Sequence, residues 1–140
     1  MNNTISIRCN LNNLQHVRVF VTSTLSPYPL SAIVLNQMIL AVDEICANLI
    51  VHGNAEDDTK FLHLTVVTRP GNEFLFEIAD SGKPFLLYNY KEPDIREHVE
   101  NGRGSGLGIA LVLRIMDKVE FTSNGSRNVC RLYKKVKKKE

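Results

Sequence analysis

The stretch Leu40–Asn54, LAVDEICANLIVHGN, constrains this chain more than any other. It is apolar enough to demand burial, yet it carries Glu44 and Asn48 four residues apart, on one side of a helix. At ~100° per residue Gln37 falls between them, so the three polar groups share a stripe about 40° wide. Such a stripe on a buried helix is costly unless its groups find partners. The stretch is therefore either a core helix whose polar side chains are satisfied internally, or one wall of a site that takes a ligand together with a metal ion. Ser31 is placed to cap the helix at its start and Gly53 at its end, with the helix running to His52. His52 in the last turn suits the helix dipole rather than metal ligation.

The segments around that helix give a fold class. Thr4–Cys9 alternates as a half-buried strand, and Asn10 caps a helix from Leu11 to about Thr24 that Pro27 and Pro29 end. Lys60–Thr68 and Glu73–Ala79 read as strands joined by the turn Pro70-Gly71-Asn72, an antiparallel hairpin. Leu86–Asn101 lacks periodicity and has the texture of a functional lid, with room for a short irregular helix around Ile95–Val99. A helix after Gly108 should bury Leu107, Leu111, Ile115 and Met116. Val119–Thr122 and Asn128–Val136 close the chain as strands around the turn Ser123-Asn124-Gly125. The order predicts an α+β fold, a two-layer α/β sandwich with helices on one face of a mixed, mostly antiparallel sheet, and one domain over residues 1–140.

With 140 residues, 44% hydrophobic and 23% charged, the composition is that of one globular domain. A net charge of +2 is too small to argue for nucleic acid. The five lysines between Lys134 and Lys139 read as a solvated end rather than an anion site. Cys9, Cys46 and Cys130 are far apart with no CxxC pair, which argues for buried free thiols in a reducing cytosol rather than zinc or disulfides. No leader pattern opens the chain and no 18-residue apolar span is expected in it, so the reading is a soluble cytoplasmic protein without a membrane segment.

Two further stretches bear on chemistry. Gly102–Gly108, GRGSGLG, holds four of the eight glycines and opens a helix, where free amides and the helix dipole favour a phosphate. The run also fits a flexible hinge. It is not GxxxxGK[ST], since no lysine follows, nor GxGxxG, since the third glycine would fall on Leu107, Ile109 or Leu111. Asp80-Ser81-Gly82 ends an apolar strand. There an aspartate can accept from an exocyclic amine while the glycine leaves room for a flat ring, or the three residues simply make a tight turn. In the first stretch, the Asn48 amide oxygen suits Mg²⁺, and Glu44 one turn earlier can take the proton of an attacking hydroxyl.

In order and spacing these stretches resemble the GHKL, or Bergerat-fold, ATPases from Leu30 onward. DEICANLIVHGN looks like the N box, IADSGKPF like the G1 box and GRGSGLGIALV like the G2 box. Within that superfamily the chain most resembles the small anti-sigma-factor serine/threonine protein kinases, through the HG after the N box, the PF after DSGK, the short lid and IMDKVEF before a closing basic strand. GSGLGIALV also looks like the G2 box of histidine kinases, but no long dimerisation helix with a phosphoacceptor histidine accompanies it, and His16 lies on a short helix.

The resemblance implies ATP and Mg²⁺ as cofactors. It implies Glu44 as general base, Asn48 as Mg²⁺ ligand, Asp80 as acceptor of the adenine amine and Gly82 as the glycine that admits the ring. It places Gly104, Ser105, Gly106, Leu107 and Gly108 around the phosphates, Arg103 within reach of the γ-phosphate and Asn128 at the adenine pocket. It implies as partners a STAS-domain antagonist that is phosphorylated on serine, and a sigma factor or other output protein that is sequestered. Homodimerisation follows from the family alone, with Thr4–Cys9 as a candidate edge. The alternatives are a non-catalytic ATP-dependent binding module and a free histidine-kinase-type catalytic domain.

Overall fold

A computed structural model describes residues 2–83 and 105–137. Five strands form one sheet: β1 (Asn2–Arg8), β2 (Phe61–Arg69), β3 (Glu73–Asp80), β4 (Lys118–Ser123) and β5 (Asn128–Lys135). Their order is β1-β2-β3-β5-β4 and every neighbouring pair is antiparallel. Among the described residues three α-helices accompany it: α1 (Leu14–Leu25), α2 (Ala32–Asn48) and α3 (Ser105–Ile115).

Period-2 alternation explains the two faces of the sheet. Inward, Ile7, Leu62, Leu64, Phe76, Ile78 and Leu132 join the core with the buried sides of the helices. Outward, polar residues pair across strands: Thr4 with Thr65 at 3.0 Å, Ser6 with His63 at 2.7 Å, and Glu77 with Arg131 at 3.6 Å. Each pair is in direct register, so the polar face of one strand meets the polar face of the next. The hairpin turn has Gly71 and Asn72 at φ 82° and 58°.

The helices begin as their capping residues dictate. Ser31 Oγ accepts from the Val34 amide at 3.2 Å. Asn10 caps from the Asn12 amide at 2.9 Å, but the turn it starts, Leu11–Asn13, is a 3-10 turn, and α1 proper begins one turn later. The rings of Tyr28 and Phe74 meet at right angles, centroids 5.3 Å apart, and tie the α1–α2 connection to the sheet.

Three expectations are corrected. Leu111 is exposed; Ile115 and Met116 are buried as expected, and Ile109 and Val112 take the place of Leu111, because the buried stripe is set by which side of the helix lies on α2. Gly53 is not a left-handed cap: Leu49–Gly53 continues α2 as a π turn, and positive φ comes later, at Ala55 (50°) and Glu56 (56°). The helical stretch Ala32–Gly53, 22 residues with mean hydropathy 1.6, is long and apolar enough on those terms alone to cross a membrane. In the fold that apolarity is used internally, Met38, Ala41, Val42, Ile45 and Ile50 being buried in the core. All three cysteines are free and buried. Burial pushes the Cys9 thiol up to about 11, and Cys46 and Cys130 higher still.

Candidate functional site

The polar stripe of α2 runs from solvent to interior: Gln37 is exposed, Glu44 half-buried and Asn48 buried. Asn48 Nδ2 donates to the Glu44 main-chain oxygen at 2.7 Å, which fixes the amide and leaves Oδ1 as the end not committed to the helix backbone. That oxygen is the atom a hard cation takes. Glu44 lies against the start of α3 so closely that a Cβ at Gly108 would collide with Oε2 and come within 2.9 Å of Cδ. The N-box-like and G2-like stretches, 64 residues apart from Glu44 to Gly108 in sequence, therefore touch through a carboxylate and a bare glycine.

The pKa of Glu44 is raised from the ordinary glutamate value. Burial is the larger cause and the neighbouring Asp43 the smaller. Asp43 itself is held by Arg18, Nε to Oδ1 at 2.7 Å and NH2 to Oδ2 at 3.4 Å. A raised pKa makes the carboxylate a stronger proton acceptor.

A second group of polar side chains collects where α2 and β3 end and β5 begins. Asp80 and Asn128 are opposite each other in the β3–β5 register and both are buried. Asn54, directly after the π turn, donates from Nδ2 to the Leu49 oxygen and to Asp80 Oδ2, both at 2.8 Å. The Gly82 amide donates to the same Oδ2 at 3.3 Å, and Asn128 Nδ2 donates to the Gly82 oxygen at 2.9 Å. The Lys83 amide donates to the Gly53 oxygen at 2.7 Å, which pins the turn after β3 to the end of α2. Asp80 Oδ1 and Asn54 Oδ1 are buried and have no hydrogen-bond partner among the described residues. An unsatisfied buried acceptor costs about 1–3 kcal/mol, so two together fit a ligand that brings donors.

The packing around Gly82 gives a reason for glycine besides room for a ring. A Cβ there would strike Asn54 Oδ1 and the Gly53 main-chain oxygen. The close approach of two backbones is what excludes a side chain.

The structure thus brings Glu44, Asn48 and Gly108 together, and Asp80, Gly82 and Asn128 together, the two groups being linked by the run from Asn48 to Asn54. Ser105, Gly106 and Leu107 lie in the first turn of α3, whose amides have no partner within the helix. Arg103, Gly104 and the segment Leu86–Asn101 lie outside the described residues. Asn54 and its bond to Asp80 are absent from the sequence reading. The signal was there in HGN, a polar residue directly after an apolar helix whose end has to be buried.

The donor set fits Mg-nucleotide. Among the described residues no three His, Cys, Asp or Glu side chains gather to hold a metal. A cation here would be held by Asn48 with phosphate and water oxygens, which is how Mg²⁺ is commonly kept. The acceptor at Asp80 and the first-turn amides of α3 suit the two ends of a nucleotide.

An antiparallel sheet with helices on its inner face, and a helix bearing a carboxylate and a carboxamide against a glycine-rich helix start, defines a nucleotide-binding α+β sandwich. A profile of the histidine kinase-like ATPase domain matches residues 7–134, and the chain belongs to that family. No curated protein matches it in sequence. Among solved structures it is similar to the RsbU and RsbW domains of Rv1364c from Mycobacterium tuberculosis, with 13% identity and a TM-score of 0.68 over 95% of this chain and 32% of that one. The histidine kinase domain of a blue-light activated histidine kinase from Erythrobacter litoralis EL346 is similar over 92% of this chain and 61% of that one, with 10% identity and a TM-score of 0.58. A longer structure of that kinase gives 11% identity and a TM-score of 0.57, over 89% of this chain and 41% of that one. The chain thus spans about a third to three fifths of these relatives, and the likeness is one of fold.

Proposed function

We propose that this chain is a cytoplasmic Mg²⁺/ATP-dependent serine protein kinase of the anti-sigma-factor type. It would phosphorylate a STAS-domain antagonist and sequester a sigma factor or other output protein. The observation that carries the reading is the contact of Glu44 with Gly108: a half-buried carboxylate with a raised pKa sits at the start of the glycine-rich helix. A module that only bound nucleotide would have no use for a base there. The likeness to a structure containing an RsbW domain supports the same choice.

When bound, ATP supplies the transferable phosphoryl group. The chain's own residues position and exchange protons around it. Asp80 would accept from the base amine, Asn48 Oδ1 would hold the cation, and the first-turn amides of α3 would hold phosphate oxygens. Glu44 receives the proton of the attacking serine hydroxyl, a contribution of roughly 10²–10⁴ in rate. Positioning and charge neutralisation carry most of the remaining barrier.

The test is a pull-down from lysate of the protein's own source with Mg²⁺/ATP and, separately, Mg²⁺/ADP, followed by a search of recovered proteins for phosphoserine. A small protein that gains phosphoserine with wild type and not with Glu44→Gln supports the kinase. Transfer at the wild-type rate by Glu44→Gln removes Glu44 from the chemistry. Phosphohistidine on a partner, or nucleotide-dependent capture without phosphate, refutes serine transfer.

A further inference from the structure

A cavity of about 340 Å³ opens where β2 begins and β3 ends, at the lower end of the size range of small-molecule sites. Phe61 and His63 line it, and they alternate with the core residues Leu62 and Leu64, so they stand on the face of the sheet turned away from the helices. Asp80 borders the cavity too, but its Oδ2 is bound to Asn54 and the Gly82 amide on the helix side of β3.

The cavity carries an excess of positive charge. Lys60 and Arg127 both line it, and neither has an ion-pair partner among the described residues. Asp57, which feels the charge of Lys60, already accepts from the Thr59 amide at 3.0 Å and from Thr59 Oγ1 at 2.7 Å. Both cations are carried by turns that hydrogen bonds hold. The Lys60 amide donates to the Asp57 oxygen at 3.1 Å. Asn124 Oδ1 accepts from the Arg127 amide at 2.7 Å and from the amide and hydroxyl of Ser126 at 3.0 and 3.1 Å. The hydroxyls of Thr59, Ser81 and Ser126 border the same space. Phe61 adds a flat apolar wall: it is 40% exposed, His63 stacks on it at 6.3 Å and the Arg8 guanidinium lies over the ring at 5.0 Å.

We propose that this cavity is a second ligand site, for a phosphate monoester that carries a flat ring. Lys60 and Arg127 hold the phosphate oxygens through charge-assisted hydrogen bonds, the hydroxyls complete its shell, and the ring lies against Phe61. The site is behind β3 from the Asp80–Asn54 group and stands whether or not a nucleotide binds on the helix side.

The experiment is calorimetric titration of phenyl phosphate, inorganic phosphate and phenol into the whole chain at fixed low ionic strength, where surface charge is least screened. The variants are Lys60→Ala, Arg127→Ala and, as a control for loss of one positive charge elsewhere on the sheet, Lys118→Ala. All three side chains are exposed, so the fold is kept. Phenyl phosphate should bind best, inorganic phosphate less well and phenol least. Lys60→Ala and Arg127→Ala should each weaken phenyl phosphate roughly tenfold, and Lys118→Ala should leave it nearly unchanged. An equal loss in all three variants is general charge attraction and overturns the proposal. Binding that survives Lys60→Ala and Arg127→Ala lies elsewhere, such as at the start of α3, and overturns it as well. So does phenol binding as tightly as phenyl phosphate, or no binding of phenyl phosphate at all. Equal affinity for phenyl and inorganic phosphate refutes the role of Phe61.

Discussion

Replacing Gly108 by alanine separates stability from chemistry. The new Cβ would overlap Glu44 Oε2, stand 2.9 Å from Cδ and 3.6 Å from Cγ. Carbon contacts are comfortable at about 3.5–4.0 Å, so Cγ stays where it is and the carboxyl has to swing by about 0.5–1 Å. Only the end of a flexible side chain moves, at a cost of about 0.5–1.5 kcal/mol if it is pushed off its rotamer. Against that, alanine in a helix interior is favoured over glycine by about 1 kcal/mol. The two nearly cancel, and denaturant unfolding should place the variant within about 1 kcal/mol of wild type. The same movement should be severe for proton transfer, because a misplacement of ~1 Å at a reacting group costs roughly 10²-fold. Single-turnover transfer from labelled ATP, with the substrate recovered in the pull-down, reads the rate. A stable, folded variant with roughly 10²-fold slower transfer is expected. Destabilisation beyond about 3 kcal/mol would show that backbone rather than the carboxyl gives way. Transfer at the wild-type rate would show that Glu44 does not work from beside Gly108.

Gly82→Ala should behave in the opposite way, since its Cβ meets the Gly53 main-chain oxygen as well as Asn54. Neither backbone can yield cheaply, so urea unfolding should report a loss of about 1–3 kcal/mol, and an unchanged midpoint would refute the contact. Transfer should require Glu44 deprotonated, and burial raises its pKa, so activity should rise with pH through an acid limb displaced upward from that of an ordinary glutamate. Asp43→Asn removes the smaller of the two causes and should move that limb to lower pH without abolishing it. A limb that stays in place would show that Asp43 does not act on the base.

The sequence by itself determined a good deal. Apolar periodicity and turn chemistry located the helices and strands, because burial of alternate or every third to fourth residue is a local demand. Residue chemistry at fixed spacing pointed to Glu44, Asn48, Asp80 and the glycine run. Only the tertiary structure decided how these meet. That Glu44 lies on Gly108, that Asp80 faces Asn128 across a register, and that Gly82 is bare because two backbones pass there, all depend on segments tens of residues apart. Leu111 shows the limit from the other side, since a helix with apolar residues on several faces leaves its buried stripe to its neighbours. Asn54 shows it most clearly. Its place is set by a π turn that widens the end of α2, and its role by the carboxylate 26 positions later that this turn brings within hydrogen-bond reach. Propensity acts along the chain, whereas the pairing of buried donors and acceptors is settled only when the chain has closed on itself.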